Sequence, residues 1–339
     1  MDVESCDHKS FRGPLPASRY PGNNASIEQI METALKTTIL LCAAALACGS
    51  AFAAPADRFD VAVTVDDLPS HGAKPADITR ADIARSHIET FKAHGVPEAW
   101  GFVNAVALVN DPGSDAALDV WRKAGYPLGN HGYTHMGLSQ AKSLEAWEAD
   151  VSANEPVLEK YMAGKDWHVM RYPFLDAGGK GARHDDALAW LKARGYRVAD
   201  VTLGFDDWAY TDTYTRCVAK GDQAAIEGLK ASYYRRVDQQ LARTKAMSQR
   251  VYGRMIPQVL LTHMGAWSAA TLPEVMKRMD AAGAHYVTLD QVQSDAAYRM
   301  PSPRAGDGAM IERRAQDAGI DLTGLPAVEP VGNLDAVCR

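Results

Sequence analysis

The stretch Val61-Ala62-Val63-Thr64-Val65-Asp66-Asp67 decides the fold. Its first five residues are apolar or β-branched without a break, the pattern of a strand covered on both faces. Such a strand ending in two adjacent carboxylates must offset their repulsion with a cation or a hydrogen-bond partner. Alternation along a strand aims the two side chains differently, so one can ligate metal while the other faces a water. Taken alone, an Asp pair before Leu68-Pro69 is also the composition of a turn or a helix cap.

Outward from this strand, short β-branched runs alternate with longer amphipathic, Ala-rich stretches, which is the pattern of βα units. Seven strands are predicted, near 59–65, 99–104, 127–130, 168–171, 197–201, 258–262 and 285–288. Seven rather than eight predicts an α/β fold built as a distorted, incomplete (β/α)7 barrel. The stretch 222–250, with Tyr233, Tyr234, Val237, Leu241 and Met247 at helical spacing, predicts one or two helices. Beyond Met300 the chain is Pro- and Gly-rich, with one short helix predicted over Met310 to Ala318. Residues 54–299 are therefore read as one domain and 300–339 as a tail packed on the outside of the barrel.

At 339 residues and 47% apolar content the chain is long enough for one large core of this kind. A formal charge of −6 without a basic run excludes an electrostatic footprint for nucleic acid. The first 53 residues stand apart. Lys36 precedes an apolar run from Ile39 to Ala47, followed by Gly49-Ser50-Ala51-Phe52-Ala53, which is the pattern of a signal peptide cleaved near Ala53. Met31 sits where its start would be expected, behind a polar extension. The expectation is an exported chain, periplasmic or secreted, with no membrane segment in its mature form. Its only cysteines would be Cys217 and Cys338, either bridged or free.

The polar candidates all follow predicted strands: Asp66 and Asp67 the first, His131 the third, Arg171 the fourth, Asp207 the fifth and His263 the sixth. In parallel α/β barrels this is the rim where catalytic groups gather. His131 and His135 share one side if Gly132 to His135 forms a helical turn, a spacing that suits a tetrahedral ion. Arg171, before Tyr172-Pro173-Phe174, can offer a guanidinium to a carboxylate at the site or in a structural ion pair. Trp208 beside Asp207 offers an apolar wall next to an acceptor. Leu261-Thr262-His263 ends an apolar strand in an imidazole. His71 is near enough to line the rim, whereas His87, His94, His168, His184 and His285 read as structural or exposed.

From about Asp60 to Asp290 the sequence resembles the polysaccharide deacetylase family, carbohydrate esterase family 4. Thr64-Val65-Asp66-Asp67, His131-Gly132-Tyr133-Thr134-His135, Arg171-Tyr172-Pro173-Phe174, Asp206-Asp207-Trp208 and Leu260-Leu261-Thr262-His263 occur in the family's order. Three positions depart from its pattern: Val65 for phenylalanine, Gly132 for Ser or Thr, and Phe174 for tyrosine. The resemblance implies a barrel of the polysaccharide deacetylase type and a divalent metal, usually zinc, on Asp67, His131 and His135. It implies Asp66 as general base held ionised by Arg171, and His263 as general acid oriented by Asp207. Trp208 and Leu261 would take the acetyl methyl, and the Phe174 amide would complete the oxyanion site.

The implied activity is metal-dependent removal of acetyl groups from an N-acetylated or O-acetylated polysaccharide or oligosaccharide. A related hydrolase of a non-sugar amide, imide or ureide is the runner-up, and a non-catalytic glycan-binding protein is the reading from another class. The sequence leaves the oligomeric state open.

Overall fold

The computed structural model describes residues 58–179, 181–304 and 308–339. The polar extension, the signal segment, Met31 and the cleavage position after Ala53 lie outside the described residues. Eight strands form one sheet among them: β1 (Phe59–Leu68), β2 (Ala99–Val103), β3 (Leu128–Asn130), β4 (Val169–Met170), β5 (Arg197–Val198), β6 (Leu203–Gly204), β7 (Gln258–His263) and β8 (Ala284–Tyr286). Every pairing is parallel, in the order β5-β4-β3-β2-β1-β7-β6, with β8 on the first residues of β1.

The longer helices between them are α1 (Arg80–Ala93), α2 (Asp115–Lys123), α3 (Leu144–Met162), α4 (Ala182–Ala193), α5 (Thr211–Lys220), α6 (Gln223–Tyr252), α7 (Ala266–Ala281) and α8 (Met310–Ala318). The stretch read as one or two helices is the single helix α6. No helix of the described residues is long and apolar enough to cross a membrane.

Alternation along β1 explains the layering. Val61, Val63 and Val65 pack with Phe91, Trp121 and Trp267 of the surrounding helices, while Ala62 packs inward with Phe102, Val169, Ala199 and Val259. Because both faces are covered, the run is apolar throughout.

The predicted fifth strand is two short ones with a crossing between them. Ala199 N–H donates to Met170 O (2.8 Å), continuing β5 on β4, and Thr202 N–H donates to Val259 O (3.1 Å), starting β6 on β7. Strands at the two ends of the hydrogen-bonded path are thus separated by four residues, which reach at most about 14 Å. The sheet must curl until its edges nearly meet, and this makes an α/β barrel left open along one seam.

The chain beyond 300 lies against that seam and against α5 and α6. Met310 N–H donates to Val201 O (2.7 Å). Buried Arg313 reaches the Asp200 carboxylate, the Pro303 carbonyl (3.0 Å) and the Gly308 carbonyl (3.1 Å). Further on, Arg216 Nη2 donates to Leu334 O (3.1 Å), and Cys217 is bridged to Cys338 with an Sγ–Sγ distance of 2.10 Å. This settles the cysteine pairing that the sequence left open.

Candidate metal-centred active site

Asp66 continues the inward set of β1 and is 2% exposed. Arg171, which follows β4 and is 1% exposed, donates from Nη1 to both of its oxygens (2.8 and 3.1 Å). The guanidinium is itself fixed, by Nη2 to Thr64 Oγ1 (3.0 Å) and by Nε to Ala199 O (2.7 Å). The carboxylate partner of Arg171 is therefore Asp66, in a buried ion pair. Replacing either member alone would strand a buried charge.

Alternation would send Asp67 outward, toward the helices, but β1 breaks its register with β2 between Val65 and Leu68, and Asp67 takes φ +62°. A bulge with a left-handed residue re-aims a side chain, and here it turns Asp67 to the same side as Asp66. Asp67 Oδ2 accepts from His71 Nδ1 (2.7 Å). Its Oδ1 is buried and has no hydrogen-bond partner among the described residues. That orphaned oxygen lies 3.5 Å from both His131 Nε2 and His135 Nε2.

These three atoms fit a divalent ion. Ligands of a tetrahedral ion with bonds of about 2.0–2.1 Å sit about 3.3–3.4 Å apart, close to the two separations from Asp67, and the three ligand atoms all lie within 4.8 Å of one another. His131 Nδ1 faces the Arg171 carbonyl at 2.8 Å; a carbonyl only accepts, so this nitrogen is the donor and Nε2 is the atom turned to Asp67. Burial, with repulsion between the two imidazoles behind it, lowers the His135 ring to about 4, so His135 is neutral at pH 7. Burial by itself raises the Asp67 carboxyl, but the His71 hydrogen bond and the charges of His263, His131 and His71 together hold it below its ordinary range.

The helical turn expected between His131 and His135 does not form. Residues 131–135 run as an irregular bend in which Gly132 has φ +72° and His135 φ +62°, and this bend brings the rings to 4.8 Å. A Cβ on Gly132 would come within 2.8 Å of Asp150 Oδ2, while Asp150 accepts from Thr134 N (3.0 Å) and Oγ1 (2.7 Å). Glycine therefore belongs here, and the departure from Ser or Thr has a local steric cause.

Opposite this group, His263 Nδ1 lies 2.8 Å from Asp207 Oδ1, and Asp207 Oδ2 accepts from Thr262 Oγ1 (2.6 Å), His263 N (2.8 Å) and Ser268 Oγ (2.5 Å). Burial alone would lower the His263 imidazole, but the charge and hydrogen bond of Asp207, with Asp67 and Asp66 behind them, raise it to about 9. Burial likewise raises Asp207, and it is overcome by the charge of His263 and by the hydrogen bonds from His263, Ser268 and Thr262, which leave the carboxyl well below its ordinary value. The pair is an imidazolium and a carboxylate at neutral pH.

Residues 53–199 match the sequence model of one family, described as polysaccharide deacetylase. That segment, less than half of the chain, is similar to the polysaccharide deacetylase family. The matched segment holds Asp66, Asp67, His131, His135, Arg171 and Phe174, whereas Asp207, Trp208, Leu261 and His263 lie beyond it.

No curated protein matches. Among solved structures, the chain is similar to a family 4 carbohydrate esterase from Streptomyces lividans in complex with acetate (16% identity, 70% of this chain and 96% of that one, TM-score 0.44). It is also similar to the chitin deacetylase of the fungal pathogen Colletotrichum lindemuthianum (19%, 71% and 91%, TM-score 0.45). A third is a CE4 family pseudoenzyme from Bacillus anthracis (14%, 70% and 66%, TM-score 0.44).

Asp66, Asp67, His131, His135, Asp207 and His263 line one cavity of about 550 Å³, with Phe174, Trp208 and Leu261 in its walls. Phe174 stands at φ +58° with its ring 4.3 Å from that of His135, and its N–H meets no acceptor among the described residues. Among the described residues, five of the seven non-glycine residues at positive φ line this cavity: Asp67, His135, Phe174, Leu175 and Asp206. Strained backbone collects at functional sites when the surrounding structure holds it there.

His71 joins the site more intimately than a rim residue. It spans Asp67 Oδ2 and the Trp208 carbonyl (3.3 Å), and its ring lies 5.1 Å from that of His263. Thr64, Thr262 and Ser268 act behind the carboxylates and gave no sequence signal of their own. Arg236 and Gln240 of α6, with Gly308, Ala309 and Glu312 from the start of α8, complete the lining; nothing local in the sequence distinguishes them from neighbouring helix residues.

Proposed function

We propose that this protein is an exported, metal-dependent hydrolase that removes acetyl groups from an N-acetylated or O-acetylated glycan. The observation that carries the reading is the orphaned Asp67 Oδ1, 3.5 Å from two imidazole nitrogens, in one cavity with a His263 held as imidazolium. Asp67, His131 and His135 would hold the ion, with zinc the best match to one oxygen and two nitrogens. A bound divalent ion supplies Lewis-acid polarisation of the acetyl carbonyl and acidifies water.

The chain's own groups supply the rest. Asp66, pinned by Arg171, receives the proton of the attacking water as its oxygen bonds to the acetyl carbon. The free Phe174 N–H donates to the carbonyl oxygen as negative charge develops there. Trp208 and Leu261 offer an apolar recess for the methyl group. The C–N bond then breaks, acetate is left on the carbon side, and His263 delivers its proton to the departing nitrogen. An amide needs that proton because an unprotonated amine leaves poorly. Export is supported by the signal-like segment and by the Cys217–Cys338 bridge, which an oxidising compartment preserves.

The test is acetate release by residues 54–339, reconstituted with zinc and compared with chelated protein, on N-acetylglucosamine oligomers, peptidoglycan, acetylxylan and a cyclic imide. Zinc-dependent acetate from a glycan is expected. Turnover of the imide alone would replace this reading with that of an imide hydrolase, and glycan binding without any turnover would make the protein a binding module.

A further inference from the structure

One wall of the cavity takes no part in the chemistry above. It is made of Gln240 on α6 and of Gly308, Ala309 and Glu312 where α8 begins. Gly308 also shares a narrow crevice with Leu175 and Val201, so the tail fills the sector of the rim between the Phe174 turn and the strand β6, where the barrel has its seam. The filling is fixed in place: Met310 N–H is bonded to Val201 O, and Arg313 ties Asp200, Pro303 and Gly308 together. A polymer laid across the rim would meet this wall.

We infer that the wall makes the cavity a terminal subsite, taking the end sugar of an acetylated oligosaccharide chain, with Gln240 and Glu312 as specificity-determining side chains for its hydroxyl groups. The inference rests on the deacetylase reading and narrows its substrate class. A cavity of about 550 Å³ has the size that encloses a small molecule. Its mouth carries two exposed aromatic faces, Phe174 (56%) and Trp208 (52%). The other exposed large apolar residues among those described, Val109 and Met300, do not line it, so no row of platforms continues along a longer chain.

The polar groups of the wall favour a neutral, hydroxyl-rich ligand. Arg236 is taken up by the Asp206 carboxylate and the Glu329 carbonyl. Glu312 forms no salt bridge among the described residues; burial raises its carboxyl, opposed by the charge of Arg243 and by the Ala309 amide. The Gln240 amide makes no hydrogen bond among the described residues, so it can both donate and accept.

The experiment maps which residue of a reducing-end-labelled N-acetylglucosamine pentamer and of a labelled acetylated xylose pentamer loses acetate first, using the zinc-loaded protein and tandem mass spectrometry. Acetate lost from one terminal residue, with KM nearly constant from dimer to hexamer, is the expected result. Glu312→Gln, which keeps an acceptor for the Ala309 amide, and Gln240→Ala, on a different helix, should each raise KM for the dimer about tenfold, the value of one lost hydrogen bond of about 1.4 kcal/mol, with a much smaller change in kcat. Loss of acetyl groups at internal positions, or a KM that keeps falling with chain length, overturns the terminal subsite while leaving the deacetylase reading intact. Unchanged KM in both variants overturns the roles of Gln240 and Glu312. No acetate from monomers or oligomers overturns the deacetylase reading itself.

Discussion

Replacing Asp207 by asparagine should convert His263 from an acid that is loaded at neutral pH into one that is mostly empty. The rise from an ordinary 6.5 to about 9 corresponds to about 3 kcal/mol in favour of the imidazolium, at about 1.4 kcal/mol per pH unit. Asp207→Asn removes the largest of the charges that produce this rise and leaves the burial that opposes it, with only Asp67 and Asp66 still raising the imidazole, so His263 should titrate well below 9. A full return to 6.5 would drop the imidazolium fraction at pH 8 about thirtyfold, from about 0.9 to about 0.03. Turnover of an N-acetyl substrate should fall in step with that fraction. An acetyl ester with a good leaving group should lose much less, because its leaving group departs without a proton.

The His263 midpoint is read from its imidazole resonances in metal-free protein between pH 5 and 10, and the two substrates are compared in loaded enzyme. A variant that still titrates near 9, or that loses amide and ester activity equally, would refute the argument. The same coupling has a sign in stability. A folded-state value raised above the unfolded one stabilises the metal-free protein fully below about pH 6.5 and ceases to do so as pH rises through about 9. Asp207→Asn should therefore cost more stability at pH 6 than at pH 9.5 in denaturant titrations.

Gly132→Ser, which restores the commoner family residue, should destabilise the protein by about 1–3 kcal/mol, because the backbone is left-handed there and the new Cβ meets Asp150; unchanged urea denaturation would contradict this. His71→Phe takes the donor from Asp67 Oδ2 and should weaken zinc binding about 10–100-fold in competition with a chromophoric chelator. Equal affinity would show that Asp67 is oriented without it. Cys338→Ser opens a bridge spanning 121 residues and should lower stability by about 2–4 kcal/mol, with no such loss on adding reductant to the variant.

The barrel was legible because β1 carries an uninterrupted apolar run and because each polar candidate follows a strand. Helix α8 was legible too, since Met310, Ile311 and Ala315 repeat at helical spacing ahead of Gly319. The site was less so. His131 and His135 do converge, but through a bend that Gly132 permits rather than through a helical turn, and spacing alone does not tell these apart. Asp67 faces the imidazoles only because β1 bulges, a tertiary event that overrides alternation. Strand β6, two residues long, has no periodicity to read. Gln240 and Glu312 reach the cavity because the tail docks on the seam, a long-range contact with no local signature.

The order in which β1 gains its neighbours bears on how the chain matures. Phe59–Leu68 is made early, yet it is bordered by β7 from Gln258 onward and by β8 from Ala284 onward. Its backbone edges toward β7 and β8 must wait about two hundred residues for their partners. Pairings so distant in sequence are slow to form, so the middle of the sheet cannot close progressively behind the ribosome. It is completed only when nearly the whole chain has been made.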